Sequence, residues 1–150
     1  MRRSRIILLS LLAAVALMQL IRPSRNRNNN QSPADDITKV YSMPANVQKV
    51  LKIACYDCHS NNTQYPWYTN IQPVGWWMAH HVNEGKEELN FNEYGSYSPK
   101  RQRNKLKRIR DEVEEDKMPL GSYTIIHTDA RLTAQQKDLL IKWIDSTLNR

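Results

Sequence analysis

Residues 6–21 are apolar except at Ser10 and Gln19, with Arg2, Arg3 and Arg5 before them and Arg22, Arg25 and Arg27 after them. A basic start followed by an apolar run predicts an export signal. As a helix the run spans roughly 24 Å at ~1.5 Å per residue. That is short for a bilayer core of ~30 Å, but flanking arginines reach the interface along their aliphatic stems. Leu20-Ile21-Arg22-Pro23 lacks the small residues of a cleavage site, so the segment is expected to remain as an anchor. No cysteine lies near it, which excludes a lipoprotein. The expected organisation is a cytoplasmic n-region over 1–5, a transmembrane signal anchor over 6–21, a linker over 22–37 and one domain over 38–150. The linker is rich in Asn, Arg, Ser and Pro and reads as a tether lifting the domain off the membrane.

The domain is patterned as helices. Pro44 suits the first turn of one, and Val47, Val50, Leu51, Ala54 and Cys58 recur on a single face, so this helix is expected to run into Cys55-Tyr56-Asp57-Cys58-His59. Residues 60–97 are aromatic and interrupted by Pro66, Pro73 and Gly75, with a short helix expected over 76–88 that carries Trp77, His80 and His81 along one side. No run there alternates well enough for a sheet. Ser98-Pro99 reads as an N-cap and first helical position, and that helix is expected to reach about Asp116 with Leu106, Ile109 and Val113 inward. Met118-Pro119-Leu120-Gly121 breaks it. Thr133 and Gln136 form a capping box for a last helix whose stripe is Leu140, Trp143, Ile144 and Leu148. The fold class is all-α.

Composition changes this picture little. The net charge is +7, but six of the 22 basic residues lie in residues 1–27, leaving 16 against 15 acidic ones. A global basic field is absent, and nucleic acid is not an expected partner. Seven basic residues run from Lys100 to Arg110 and five acidic ones from Asp111 to Asp116, an order that opposes the helix dipole at both ends. Such a run reads as a solvated face, with a docking patch for a redox partner as the alternative.

The chemistry lies in CYDCH, which holds both cysteines of the chain. Two thiols separated by two residues, followed at once by a histidine, match covalent haem attachment: the thiols add across the vinyl groups and the histidine meets the iron. A redox dithiol needs a strand before the motif, and a helix precedes it here. A structural zinc site needs two more ligands, and the remaining candidates are the adjacent His80 and His81. Haem attachment outside the cytoplasmic membrane also agrees with the export signal.

Cys55 and Cys58 are thus the expected attachment points and His59 the proximal iron ligand. For the distal position, Met118 in the turn after a helix supplies a soft thioether that favours ferrous iron. His81 and His80 compete with it. His127 is within reach, and Met43 and Met78 are weaker rivals. Tyr65, Trp67, Tyr68, Trp76 and Trp77 are expected to wall the macrocycle, an alternative to serving as plain core.

The helix ending in CYDCH, the MP turn and the last helix LTAQQKDLLIKWI together resemble class I c-type cytochromes. That resemblance implies first and last helices that pack together, with His59 and Met118 as axial ligands. The longer block CYDCHSNNTQYPWYTNIQPVGWWMAHHVNEGKEELNF, with MPLGSYTIIH downstream, resembles a bacterial haem-binding domain family of small membrane-anchored proteins over about residues 38–146. Together these imply a cytochrome c-like helical domain around one haem c. The expected activity is one-electron transfer on the periplasmic side of the cytoplasmic membrane, by a carrier and not an enzyme, acting on redox partner proteins. A peroxidase-like enzyme or small-ligand sensor with an open sixth iron position is the alternative.

Overall fold

A computed structural model describes residues 2–28 and 34–149. Among them, every element is helical, apart from an isolated antiparallel bridge between Arg27 and Asn62. Eight α-helices follow in order: α1 (Arg2–Met18), α2 (Ile37–Val40), α3 (Ala45–Ala54), α4 (Tyr56–His59), α5 (Val74–Glu88), α6 (Pro99–Glu114), α7 (Gly121–Thr124) and α8 (Ala134–Leu148). Short 3₁₀ turns lie at Trp67–Asn70, Phe91–Ser96 and Thr128–Ala130.

The core forms where the apolar stripes of α3, α6 and α8 meet. Val47, Val50 and Leu51 of α3 pack with Leu106 and Val113 of α6 and with Leu140, Trp143 and Ile144 of α8. Ile37, Leu89, Phe91 and Tyr94 close this cluster from the connecting segments. The Tyr94 hydroxyl donates to the Gln102 carbonyl at 2.5 Å, so its polar tip is satisfied inside the core. The side chain of Gln102 donates in turn to the Tyr94 and Tyr97 carbonyls, tying the start of α6 to the turn before it.

Helix ends follow local chemistry. The capping box at Thr133 and Gln136 is complete in both directions, and the Ser98 hydroxyl accepts from the Arg101 amide. α6 stops at Glu114 and not at Asp116, because Asp116 turns left-handed at φ 58°. The amide of Asp116 then bonds the Val113 carbonyl and that of Lys117 the Glu112 carbonyl, the paired closure of a Schellman end. Asp116→Val is expected to lower stability by about 1 kcal/mol, because a β-branched side chain suits the left-handed region far less than the short polar one of Asp, and Asp116→Gly to preserve or raise it. Both variants lose the exposed ion pair with Lys137, which contributes little. Thermal unfolding of the two compares them directly.

Four expectations are corrected. The first domain helix does not run unbroken into CYDCH: it ends at Ala54, and Cys55 at φ −128° separates it from α4. The helix expected over 76–88 begins earlier, at Val74. The N-terminal helix covers Arg2–Met18 and not 6–21, and no helix among the described residues is long and apolar enough to cross a membrane. Its first turn is spent on arginines, and Arg22-Pro23 disfavours helix just beyond its end.

The segment after it is no loose tether either. Asn26 donates through its side chain to the Ser60 carbonyl and to Thr63, and its backbone amide donates to the Tyr65 hydroxyl at 2.7 Å. Lys86 donates to its amide oxygen. Residues 29–33 of the expected linker lie outside the described residues.

The charge run on α6 is partly answered within the chain. Lys105 and Arg108 pair with Glu88 at the end of α5, and Arg110 pairs with Asp111 and with Asp145 of α8.

Candidate functional site

One cavity of about 350 Å³ opens among α4, α5, α6 and the turn after α6. That volume lies within the ~300–1,000 Å³ usual for cofactor and ligand pockets. Each wall follows from a helical stripe. Cys55, Cys58 and His59 come from the CYDCH segment. α5 contributes His81, Glu84, Gly85 and Glu88, and α6 contributes Lys105, Arg108, Ile109, Glu112 and Val113, both at the spacing of one helix face. Met118, Pro119 and Leu120 come from the turn, and Tyr123 from α7. Leu89 and Phe91 line the floor nearest the core.

His59 is held by backbone alone. Its Nδ1 lies 2.8 Å from the Gly85 carbonyl and 3.1 Å from the Leu89 carbonyl. Carbonyls only accept, so Nδ1 carries the proton and Nε2 keeps its lone pair. Burial lowers the pKa of the imidazole, against the opposing pull of those two carbonyls, which favours the neutral ring. A neutral ring with one nitrogen engaged and the other free is the form that ligates a metal.

The approach of α5 depends on Gly85. A Cβ there would stand 2.8 Å from the Cys58 carbonyl oxygen and 3.2 Å from the Cys58 Cβ, so only a hydrogen allows α5 to lie against the motif. Gly85→Val is expected to push α5 away, break the His59 bonds and cost about 1–3 kcal/mol through overpacking. The measurements are thermal unfolding and the fraction of chains that carry haem. A variant with wild-type stability and haem content would refute this role.

The two thiols are protonated. Burial, reinforced by the neighbouring Cys58, pushes Cys55 up to about 12; burial, with Asp57 beside it, pushes Cys58 up to about 11. Dithiol redox catalysis needs a thiol pKa shifted downward, so this environment opposes that reading. Among the described residues, no group of three or more His, Cys, Asp or Glu is arranged to hold a bare metal ion, which also weighs against zinc. What the cavity offers is an apolar space with two thiols, an imidazole and the Met118 thioether in its wall, a donor set that fits a haem.

Asp57, between the cysteines, braces the motif. Its carboxylate accepts from the Tyr123 hydroxyl at 2.8 Å and from the Gln64 amide, and its carbonyl accepts from the Thr63 hydroxyl at 2.6 Å. Tyr123 stacks on His127 with ring centroids 4.2 Å apart, and the far side of His127 meets the Tyr68 hydroxyl at 2.6 Å. Burial first, then Asp57, raises the Tyr123 pKa, so this hydroxyl stays a donor.

The structure thus gathers Cys55, Cys58, His59, Met118 and His81 around one space. His80 is not there; it points outward and pairs with Glu84 one turn on. The Nδ1 of His81 lies 2.9 Å from the Trp77 carbonyl, which leaves its Nε2 with a lone pair.

The five aromatics expected to wall the site do not line the cavity. Trp67 is 75 % exposed, Tyr65 lies under Arg25 and Arg27, Tyr68 binds His127, Trp76 donates to the Ile21 carbonyl, and Trp77 covers the outer side of His81. Phe91 and Tyr123 take that place. Sequence reasoning missed both, along with Gly85 and the α6 stripe. The stripe was legible as Lys105, Arg108, Ile109, Glu112 and Val113 at helical spacing.

Comparison with known proteins supplies one match: the profile of a family described as a haem-binding domain covers residues 13–146. No curated protein and no solved structure matches the chain.

Proposed function

The chain belongs to the haem-binding domain family, and from that premise we propose that it is a single-haem c-type cytochrome, associated with the cytoplasmic membrane and transferring one electron at a time on the periplasmic side. The observation that carries this reading is the single cavity whose wall holds both thiols, the imidazole of His59 and the thioether of Met118. Haem bound there supplies an iron that cycles between ferric and ferrous forms.

Cys55 and Cys58 would hold it by thioether bonds. His59 would ligate through Nε2, its orientation fixed by the Gly85 and Leu89 carbonyls. Met118 would supply a second iron ligand, its thioether, from the turn set by the closure of α6 at Asp116. Ile109, Val113, Leu120 and Phe91 exclude water. Lys105, only 15 % exposed at its side chain, and Arg108 stand at the rim paired with Glu88, so carboxylate groups of a cofactor would meet them by sharing or displacing that pairing. A haem held by both His59 and Met118 would suit a carrier that passes electrons to and from partner proteins. Arg2, Arg3 and Arg5 ahead of the apolar run 6–21 support the periplasmic side in this reading.

The test is the mass of protein made in a host that matures c-type cytochromes. The expected product carries one haem that survives denaturation, and a Cys55→Ser, Cys58→Ser chain carries none. A colourless wild-type chain of unmodified mass would end the covalent reading. The lone pair of His81 in the same wall favours one alternative, a small-ligand sensor or peroxidase-like enzyme in which Met118 does not ligate. Rapid carbon monoxide binding by the ferrous protein would select that alternative, and slow or absent binding the carrier.

A further inference from the structure

We propose that the face bearing Trp67, Ile71, Val74 and Trp77 rests in the interfacial layer of an anionic lipid bilayer, beside α1. The inference builds on the reading of α1 as a membrane segment and adds how the haem domain sits.

α1 has no buried residue, and its side chains from Ile6 to Leu17 include eight large apolar ones more than half exposed around the helix. Among the described residues nothing covers them, and lipid is the environment for a helix apolar on every side.

The end of α1 is fixed to the domain. Gln19 donates to the Gln72 carbonyl at 3.2 Å and accepts from the Gln72 amide at 2.8 Å. Trp76 donates from its indole to the Ile21 carbonyl at 2.8 Å, and Arg25 reaches the Asn70 side chain at 2.5 Å. The domain surface around residues 67–77 therefore goes where the end of α1 goes. α1 has 17 residues, about 26 Å at ~1.5 Å per residue, shorter than a hydrocarbon core of ~30 Å. A helix too short to cross is held near the membrane surface, and a domain fixed to its end is held at the headgroups with it.

The surface found there fits that depth. Trp67 is 75 % exposed, Ile71 48 %, Trp77 42 % and Val74 38 %. Tryptophan favours the membrane–water boundary, and the exposed Arg22, Arg25 and Arg27 at the same junction complement anionic headgroups. Ile125 and Ile126, also exposed, extend the patch, because the bond between Tyr68 and His127 brings that segment alongside.

The experiment uses the full-length haem-loaded protein in phosphatidylcholine–phosphatidylglycerol vesicles, with a nitroxide at Ile71→Cys or, as a solvent control, at Asp138→Cys. The unsubstituted protein taken through the same labelling supplies the background. Accessibility to oxygen and to a water-soluble nickel complex is read by power-saturation EPR. The Ile71→Cys label is expected to favour oxygen over nickel severalfold relative to the control. A label as open to nickel as the control overturns the inference. So does one shielded from both reagents, which would mean a protein partner on this face. Protein that fails to float with the vesicles instead refutes the membrane reading of α1, and the inference falls with it.

Discussion

Replacing His59 with glycine is expected to abolish the low-spin haem spectrum, and imidazole added to the solution is expected to restore it. His59 stands in the cavity wall with Nδ1 bonded to the Gly85 and Leu89 carbonyls, so the protein presents one lone pair at a fixed angle. Loss of a group that merely orients a ligand costs about 10–100-fold in metal affinity, and loss of the ligand itself should exceed that. The same substitution removes the partner of two carbonyls, so the protein without haem should lose roughly 1–3 kcal/mol of stability. Imidazole separates the two effects: it can refill the iron position but has no covalent tie to the chain and leaves the backbone freedom that glycine adds. Recovery of the spectrum without recovery of the unfolding temperature is therefore the expected pattern. A His59→Gly protein with an unchanged spectrum would remove His59 from the iron.

The parts of this site that were legible in the sequence are those whose chemistry is local. CYDCH announces itself because two thiols and an imidazole within five residues have few other uses. Thr133 with Gln136, and Ser98 with Pro99, give helix starts because a cap is formed by residues within three positions of each other. The amphipathic stripe of α3 marks its buried face for the same reason.

What was not legible depends on contacts between distant segments. Gly85 reads as a helix-weakening residue until Cys58 is placed against it. Asn26 reads as part of a polar tether until Ser60, Thr63 and Lys86 supply its partners, 34 to 60 residues away. The dense aromatics between Tyr65 and Trp77 suggest a cofactor wall by composition. Yet Tyr65, Tyr68 and Trp76 pack against Arg25 and Arg27, His127 and the end of α1, Trp67 stays exposed and Trp77 lies on His81, while Phe91 and Tyr123 reach the cavity from later in the chain. Composition tells that aromatic surface needs covering; it does not tell what covers it.

Met118→Ala is the second large effect. The thioether lines the cavity from the turn closed at Asp116, with its own amide bonded to the Glu112 carbonyl at 3.0 Å, so the backbone there is held by α6 independently of any ligand. Truncating the side chain should leave the fold intact and open one axial position. The midpoint potential is expected to fall by on the order of 100 mV, a fraction of the ~0.8 V that axial-ligand choice spans, because a soft sulphur donor favours the ferrous form. The ferrous protein should also acquire fast carbon monoxide binding. His81→Ala is the matched comparison: its ring is in the same wall, tied to the Trp77 carbonyl and stacked against Trp77 at 4.2 Å. If the thioether is the ligand, His81→Ala leaves potential and gas binding near wild type. If instead His81→Ala produces both changes and Met118→Ala neither, the imidazole one turn above Gly85 is the sixth ligand, and Met118 fills space beside it.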